Sequence, residues 1–165
     1  MEAAERALVN SDVPKLAGII AIDRKRLDVA RERLELSRRR NGFDCQTLYY
    51  LHLVYADLRQ WAQTASGAVA AGGCITSAET GLRADIERIR TSDMPEARKQ
   101  RQIAAREKQI ASGIRMRANC WYNGAVASFN LSKKDDAKDF AQRVADDEQL
   151  GARARELLAR LENGK

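Results

Sequence analysis

The segment WYNGAVASFNLSKKDDAKDFAQRV, residues 121–144, decides the fold of this chain. Its first half places aromatic and small side chains at helical spacing as far as Ser132, and its second half starts a new apolar stripe at Ala137. Each half is a short amphipathic helix, and neither can bury its apolar stripe alone. We therefore expect two helices that pack against each other across a turn at Ser132.

The composition extends this expectation to the whole chain. Of the 165 residues, 44% are hydrophobic, two are proline and ten are glycine, which excludes a disordered chain and leaves long stretches free to form helix. We predict an all-α fold, an antiparallel helical bundle that forms one domain over residues 1–165. The longest apolar run, residues 16–22, is far shorter than the roughly 20 residues that span a bilayer, so no membrane span is expected.

Two long helices are predicted in the first half of the chain. Apolar residues recur near helical spacing over 13–40 and again over 44–70, and each run predicts one helix. Small residues then dominate over 65–73. They indicate either close packing against a neighbouring helix or a frayed end before a turn at Gly72 and Gly73.

The next two helices are predicted from capping patterns. Thr76 and Glu79 have the spacing of a capping box, which predicts a helix start. The thin apolar stripe over 78–90 that follows could be the contact surface of a homodimer, and this alternative stays open. Pro95 is typical of the first turn of the following helix. That helix can run without a break into Trp121.

The segment over 118–150 resembles a tetratricopeptide repeat, a helix-turn-helix unit of about 34 residues. Trp121 takes the first signature position, and Ala137 falls where the second helix needs a small residue. Gly124 and Ala141 depart from the pattern, since leucine and phenylalanine are usual there. An amphipathic helix with leucines at 150, 157, 158 and 161, ended by Asn163 and Gly164, follows in the place of a capping helix. The repeat-like subregion thus covers about 118–163.

No second copy of the repeat is predicted. Leu48, Leu51 and Tyr55 have the spacing of a first helix, but we expect no turn or second helix at the right distance after them. Because stacking normally requires about three repeats, a bundle is favoured over a regular array.

The resemblance implies a surface that binds a partner. In such repeats the first helix of each pair faces a concave surface that receives a peptide or a partner helix. By position, that surface is lined by Asn119, Tyr122, Val126, Phe129 and Asn130. The alternative left open is that the apolar members only pack on the preceding helix. The resemblance thus predicts a non-enzymatic interaction module or scaffold for another protein or peptide, with a homo-oligomer left open.

The charge distribution suggests a second function. The net charge is +6, and the basic residues over 98–117 face only Glu96 and Glu107. An anionic partner such as nucleic acid would be contacted by Arg98, Arg101, Lys108 and Arg115. A solvated helix face is favoured over this alternative, because the cluster has no aromatic residue interleaved for base stacking.

The cysteines and the single histidine indicate no catalytic or metal site. Cys45, Cys74 and Cys120 lack Cys-x-x-Cys spacing and nearby histidines, so neither a metal nor a cofactor is expected. We expect all three to be reduced in a cytoplasmic protein. A disulfide between Cys74 and Cys120, and an exported or periplasmic origin, are the alternatives. His52 is expected to be structural, so the chain is not expected to be an enzyme.

Overall fold

A computed structural model gives the fold and describes residues 10–163. The described residues form seven helices and no strand. The helices are α1 (Asp12–Asp23), α2 (Leu27–Arg40), α3 (Cys45–Asp57), α4 (Trp61–Arg90), α5 (Glu96–Asn130), α6 (Lys134–Gln142) and α7 (Gly151–Glu162). Each helix packs against its neighbours in the chain. The all-α class and the helical bundle predicted from the sequence are confirmed.

Three of the connections are the same tight turn. Lys25, Arg59 and Ser132 have left-handed backbones, with φ of 56°, 54° and 59°. In each turn the amide of this residue donates to the carbonyl three residues earlier, and the next amide donates to the carbonyl five residues before it. The described chain thus contains three helix-turn-helix pairs, α1–α2, α3–α4 and α5–α6. We refer to the first and second helix of each pair.

The second helix of each pair leads to the same three buried positions. They lie five, nine and twelve residues after the left-handed residue of the turn, and each is at most 1% exposed. They are Ala30, Leu34 and Ser37 in the first pair, Thr64, Ala68 and Ala71 in the second, and Ala137, Ala141 and Val144 in the third. Seven of the nine side chains are Ala, Ser or Thr, which lets neighbouring helices approach closely. The pairs therefore form a repeat-like stack.

The structure corrects both long helices predicted in the first half. The helix predicted over 13–40 is divided by the turn at Lys25, and the helix predicted over 44–70 is divided by the turn at Arg59. A left-handed residue is normally signalled by glycine or asparagine. Here long basic side chains take that conformation, so the sequence carried no sign of the breaks.

The prediction that no turn or second helix follows Leu48 at the right distance is wrong for the same reason. The helix that contains Leu48 is α3, and α4 follows it after a turn at the repeat distance. The interval from Lys25 to Arg59 matches the repeat length of about 34 residues.

A long insertion separates the second pair from the third. The connection between α2 and α3, which joins the first pair to the second, consists of residues 41–44. The corresponding connection between the second and third pairs consists of residues 75–117, which extend α4 and α5 as an antiparallel hairpin. The interval from Arg59 to Ser132 is accordingly about twice the interval from Lys25 to Arg59. We call residues 75–117 the arm.

Gly72 and Gly73 lie inside α4 and do not form the predicted turn. Thr76 is not a helix cap either, since its hydroxyl donates to the carbonyl of Gly72 at 2.9 Å within the same helix. A Cβ atom at Gly72 would overlap the ring of Trp121, and one at Gly124 would lie 2.9 Å from the Cβ atom of Ala68. Of the two interpretations of this small-residue segment, close packing is therefore the right one.

The arm is held together by a heptad seam. Buried and half-buried residues recur at alternating steps of three and four on both helices, which is the pattern of a left-handed coiled coil. They are Ile75, Glu79, Leu82, Ile86 and Ile89 on α4, and Ile103, Arg106, Ile110, Gly113 and Arg117 on α5. The predicted helix after Pro95 is confirmed, and it runs unbroken through Trp121. The stripe over 78–90 is covered by α5 of the same chain.

One polar pair interrupts the seam. Arg117 Nη1 donates to Glu79 Oε2 at 2.6 Å, and Arg83 Nη2 donates to Glu79 Oε1 at 2.7 Å. The hydrogen bond from Arg83, and then that from Arg117, hold the pKa of Glu79 below its usual 4.5 despite the opposing effect of burial. The pair therefore stabilises the arm at neutral pH and weakens as the pH falls through that lowered pKa. A slip by one heptad would separate the charges, so the pair fixes the register.

The helix predicted after residue 150 is present as α7 and packs on α6. Ala154 and Leu157 on its inner face are buried. Asp147 Oδ1 accepts the amides of Gln149 and Leu150, which shapes the loop before the helix. Gly164, part of the predicted stop signal, lies outside the described residues. Within the described part of the chain, no helix is long and apolar enough to cross a membrane.

Both interpretations of the cysteines are wrong. Cys45 and Cys74 form a disulfide with Cα atoms 5.4 Å apart, and Cys120 is free and buried. Because α4 continues past Gly72, Cys74 meets the start of α3 rather than α5. Burial raises the pKa of the Cys120 thiol to about 12, so this thiol is protonated at neutral pH. The disulfide ties the first residue of α3 to the base of the arm.

Candidate partner-binding groove

A groove runs between the second pair, the third pair and α7. It consists of two adjoining cavities of about 490 and 370 Å³ that share Tyr122, Val126 and Arg153. The first cavity is also lined by Leu53, Ala56, Asp57, Trp61 and Asn123. The second is also lined by Phe129, Asn130, Glu156, Leu157 and Arg160. We call the two cavities together the groove.

The floor of the groove is one face of α5. Tyr122, Val126 and Phe129 follow one another at steps of four and three residues, so their side chains project from the same side of the helix. All three are half-buried. The opposite side of α5 carries Gly124 and Ser128, which are buried. Burial of that side fixes the rotation of α5 and keeps the aromatic face in the groove.

Two arginines of α7 lie over aromatic rings of this floor. The guanidinium carbon of Arg153 is 4.8 Å from the ring centroid of Tyr122, and that of Arg160 is 6.0 Å from the ring centroid of Phe129. The ring quadrupole attracts each cation. Both arginines are exposed, and neither forms an ion pair within residues 10–163. The groove therefore combines an apolar floor with two arginines and two carboxylates, Asp57 and Glu156, among its other lining residues.

The structure brings together four of the five residues predicted to bind a partner. Tyr122, Val126, Phe129 and Asn130 line the groove. Asn119 lines a different cavity, between α5 and the loop that precedes α7. Its side-chain amide donates to a backbone carbonyl four residues earlier, at 3.0 Å. The Asn130 amide likewise donates to the carbonyl of Val126, at 2.8 Å.

Nine residues of the groove were not predicted from the sequence, among them Leu53, Trp61, Arg153 and Arg160. Leu53 and Trp61 were missed because the helix predicted over 44–70 ran through both of them. Arg153 and Arg160 were missed because the last helix was interpreted as a cap. Leu53 and Trp61 could have been found from the interval between Lys25 and Arg59, which equals the repeat length of about 34 residues.

The basic residues proposed as an alternative site lie on one side of α5. Arg98, Arg101, Lys108 and Arg115 are all exposed, and the last three follow one another at steps of seven residues. Seven residues are close to two helical turns, so these three side chains form a row along the arm. None of the four forms an ion pair with a described residue, in contrast to Arg117.

Comparisons of this chain with protein-family models, with curated proteins and with solved structures find no match.

His52 is buried and does not line the groove. Its Nδ1 lies 3.1 Å from the carbonyl oxygen of Thr64, so Nδ1 carries the proton of the neutral ring. Burial lowers the pKa of His52 to about 4, which keeps the ring neutral at physiological pH. Nε2 is an acceptor with no partner among the described residues. Residues 10–163 also contain no group of three or more His, Cys, Asp or Glu side chains that could hold a metal ion.

Proposed function

We propose that this protein is a non-enzymatic interaction module that binds a peptide segment of another protein in the groove. The observation that carries the proposal is the aromatic face of α5, which is half-buried and lies open between α3 and α7. Concave sites with an apolar floor and a few polar groups at the edge are typical of ligand binding. A peptide in the groove would contact both the second and the third helix pair.

The charges favour a particular kind of peptide. Arg153 and Arg160 are seven residues apart on α7, which corresponds to about 10.5 Å along a helix. A peptide in the polyproline II conformation covers that distance in about three residues, and its residues i and i+3 project from the same side. A segment with two acidic residues three positions apart, and apolar side chains directed at Tyr122 and Val126, fits this arrangement best.

We also propose that the three helix pairs are tetratricopeptide-like repeats. The interval between Lys25 and Arg59, which matches the repeat length of about 34 residues, supports this. The shared turn geometry and the buried positions common to all three second helices support it as well. The groove then lies where such repeats present their first helices.

Selection of peptides against the full chain tests the groove. Twelve-residue peptides from a random phage-displayed library are enriched on the protein, and their affinities are measured by fluorescence anisotropy. We expect Tyr122→Ala to weaken binding at least about tenfold, because a large aromatic contact at the centre of an interface is lost. Arg153→Glu should weaken it as well, and this exposed position should leave the helical circular dichroism unchanged.

Asn119→Ala is the control, since Asn119 lies on α5 but outside the groove. The proposal is overturned if no peptide is enriched. It is equally overturned if enriched peptides bind Tyr122→Ala and Arg153→Glu as tightly as they bind the unchanged protein.

The row of basic side chains on the arm supports a second candidate function, the binding of an anionic partner. Its acidic neighbours Glu96 and Glu107 lie on another side of α5, so this side carries positive charge only. An exposed row of one sign attracts polyanions over about a Debye length.

Salt dependence tests the second candidate. With a labelled 20-base-pair DNA duplex as the probe, we expect the binding constant to fall steeply as salt rises, because each neutralised phosphate releases counterions. Arg101→Gln with Lys108→Gln should reduce the slope of log K against log salt by about 1.8. The control is Arg88→Gln with Arg90→Gln, which removes the same charge from ion-paired residues of α4. A flat salt response, or an equal loss in the control, excludes this function.

For the compartment, we propose that the protein acts outside the reducing cytoplasm. The disulfide between Cys45 and Cys74 supports this, since such bonds persist in oxidising environments. Alkylation of free thiols in protein isolated from its source and unfolded in denaturant, so that the buried Cys120 reacts, followed by mass measurement, tests it. One alkylated cysteine supports the proposal, and three contradict it.

A further inference from the structure

The basic row of the arm and the aromatic floor of the groove lie on the same side of α5. This helix is unbroken over its whole length. Tyr122 follows Arg115 after seven residues, and Phe129 follows Tyr122 after seven more, so the spacing of the basic row continues into the groove. Side chains seven residues apart on a helix differ in direction by only about 20°. The row and the floor are therefore parts of one surface.

A positive charge occurs at every seven-residue step of this surface. At the first three steps the charge belongs to α5 itself. At the next two it belongs to α7, whose two groove arginines lie over the rings of Tyr122 and Phe129. All five basic side chains are exposed, and none forms an ion pair with a described residue. Consecutive charges are about 10.5 Å apart along α5, and the whole line is about 42 Å long. We call it the basic stripe, and it consists of Arg101, Lys108, Arg115, Arg153 and Arg160.

We propose that the basic stripe binds one extended acidic peptide, which continues from the groove along the arm. This inference rests on the proposed function of the groove and adds the part of the partner that lies outside it. In the polyproline II conformation a chain advances about 9.3 Å in three residues, which is close to the spacing of the charges. The partner segment should therefore carry an acidic residue at every third position over about 13 residues.

A single-stranded nucleic acid fits the basic stripe less well. Such strands bind by stacking their bases on aromatic rings, but the rings of Tyr122 and Phe129 each lie under a guanidinium group. The groove is also lined by the carboxylates of Asp57 and Glu156. These carboxylates repel a phosphate backbone, whereas they can accept hydrogen bonds from the amides of a peptide. The stripe therefore favours an acidic peptide over a phosphate chain.

A peptide that binds the groove, extended at either end by three Glu-Pro-Pro repeats, is the probe. The nine added residues reach about 28 Å, which is sufficient to pass from Tyr122 beyond Lys108. At low salt, fluorescence anisotropy should show that the extension at one end tightens binding about tenfold relative to Gln-Pro-Pro repeats, which corresponds to about 1.4 kcal/mol. Arg101→Gln with Lys108→Gln should remove most of this gain and leave the affinity of the unextended peptide unchanged. Arg115 is left unchanged in this test, because the cavity beside it is also lined by three carboxylates of the loop before α7.

Arg88→Gln with Arg90→Gln is the matched control, because it removes the same charge from ion-paired residues of α4, and it should preserve the gain. The proposal is overturned if neither extension tightens binding, if both tighten it equally, or if the gain survives in Arg101→Gln with Lys108→Gln. In each of these cases the groove proposal stands, whereas the absence of any groove peptide removes both proposals. A 20-nucleotide oligothymidylate that displaces the extended peptide, and that Tyr122→Ala and Lys108→Gln each weaken, would overturn this inference and assign the stripe to single-stranded nucleic acid.

Discussion

Replacing Gly72 by alanine is expected to lower the free energy of unfolding by about 3 kcal/mol, whereas Gly73→Ala should raise it by about 1 kcal/mol. The two glycines are neighbours in α4, but a Cβ atom at Gly72 would overlap the ring of Trp121 while one at Gly73 would meet nothing within 4 Å. The ring of Trp121 is also held in place by its stack on Phe140, with ring centroids 5.8 Å apart. The added methyl group therefore has to displace α4 or the indole.

Urea denaturation followed by circular dichroism measures both variants. Gly73→Ala serves as the control for helix propensity, since alanine is favoured over glycine inside any helix. Stabilisation by both substitutions would mean that α4 and α5 do not approach as closely as described. A loss of stability in both would mean that the pair does form a turn, as the sequence suggested.

Reduction of the disulfide between Cys45 and Cys74 is expected to lower the free energy of unfolding by about 3–4 kcal/mol. The bond joins residues separated by 29 positions in the sequence, and closing a loop of that length removes conformational entropy from the unfolded chain. Denaturation with and without a reducing agent measures the difference.

Cys45→Ala with Cys74→Ala provides the matched control. The double variant should already have the lower stability and should lose nothing more on reduction, because Cys120 is not part of the bond. If the reducing agent destabilises the double variant as well, the effect does not come from this disulfide. An unchanged stability of the original protein would show that the bond is not formed.

The sequence predicted the helical class but not the number of helix pairs. The third pair was recognised because Ser132 separates two amphipathic stripes of clear helical period. The first two turns were missed because Lys25 and Arg59 are long charged residues, and side chains of this kind are also common inside helices. Gly72 led to the opposite error, because a turn was predicted there and α4 continues through it. It looks like a turn residue, whereas its small size is required by Trp121, on a helix that comes much later in the sequence.

The candidate groove was predicted in part, for a related reason. Tyr122, Val126, Phe129 and Asn130 followed from one repeat and needed no knowledge of its neighbours. Trp61 and Arg153 come from a different pair and from α7, so only the packing of the stack brings them to the same groove. The partner of Cys74 depended on the same long-range geometry, since it was decided by whether α4 continues past Gly73.

The heptad seam also limits how the arm can vary in length. One residue added to α4 beyond Glu79 would rotate every later side chain by about 100°, and the isoleucines at its tip would turn away from α5. Seven residues added to each helix would instead restore the facing side chains and extend the hairpin by about 10 Å. The arm should therefore be longer or shorter in natural variants by seven residues in each of its two helices, while the stack of three helix pairs stays unchanged.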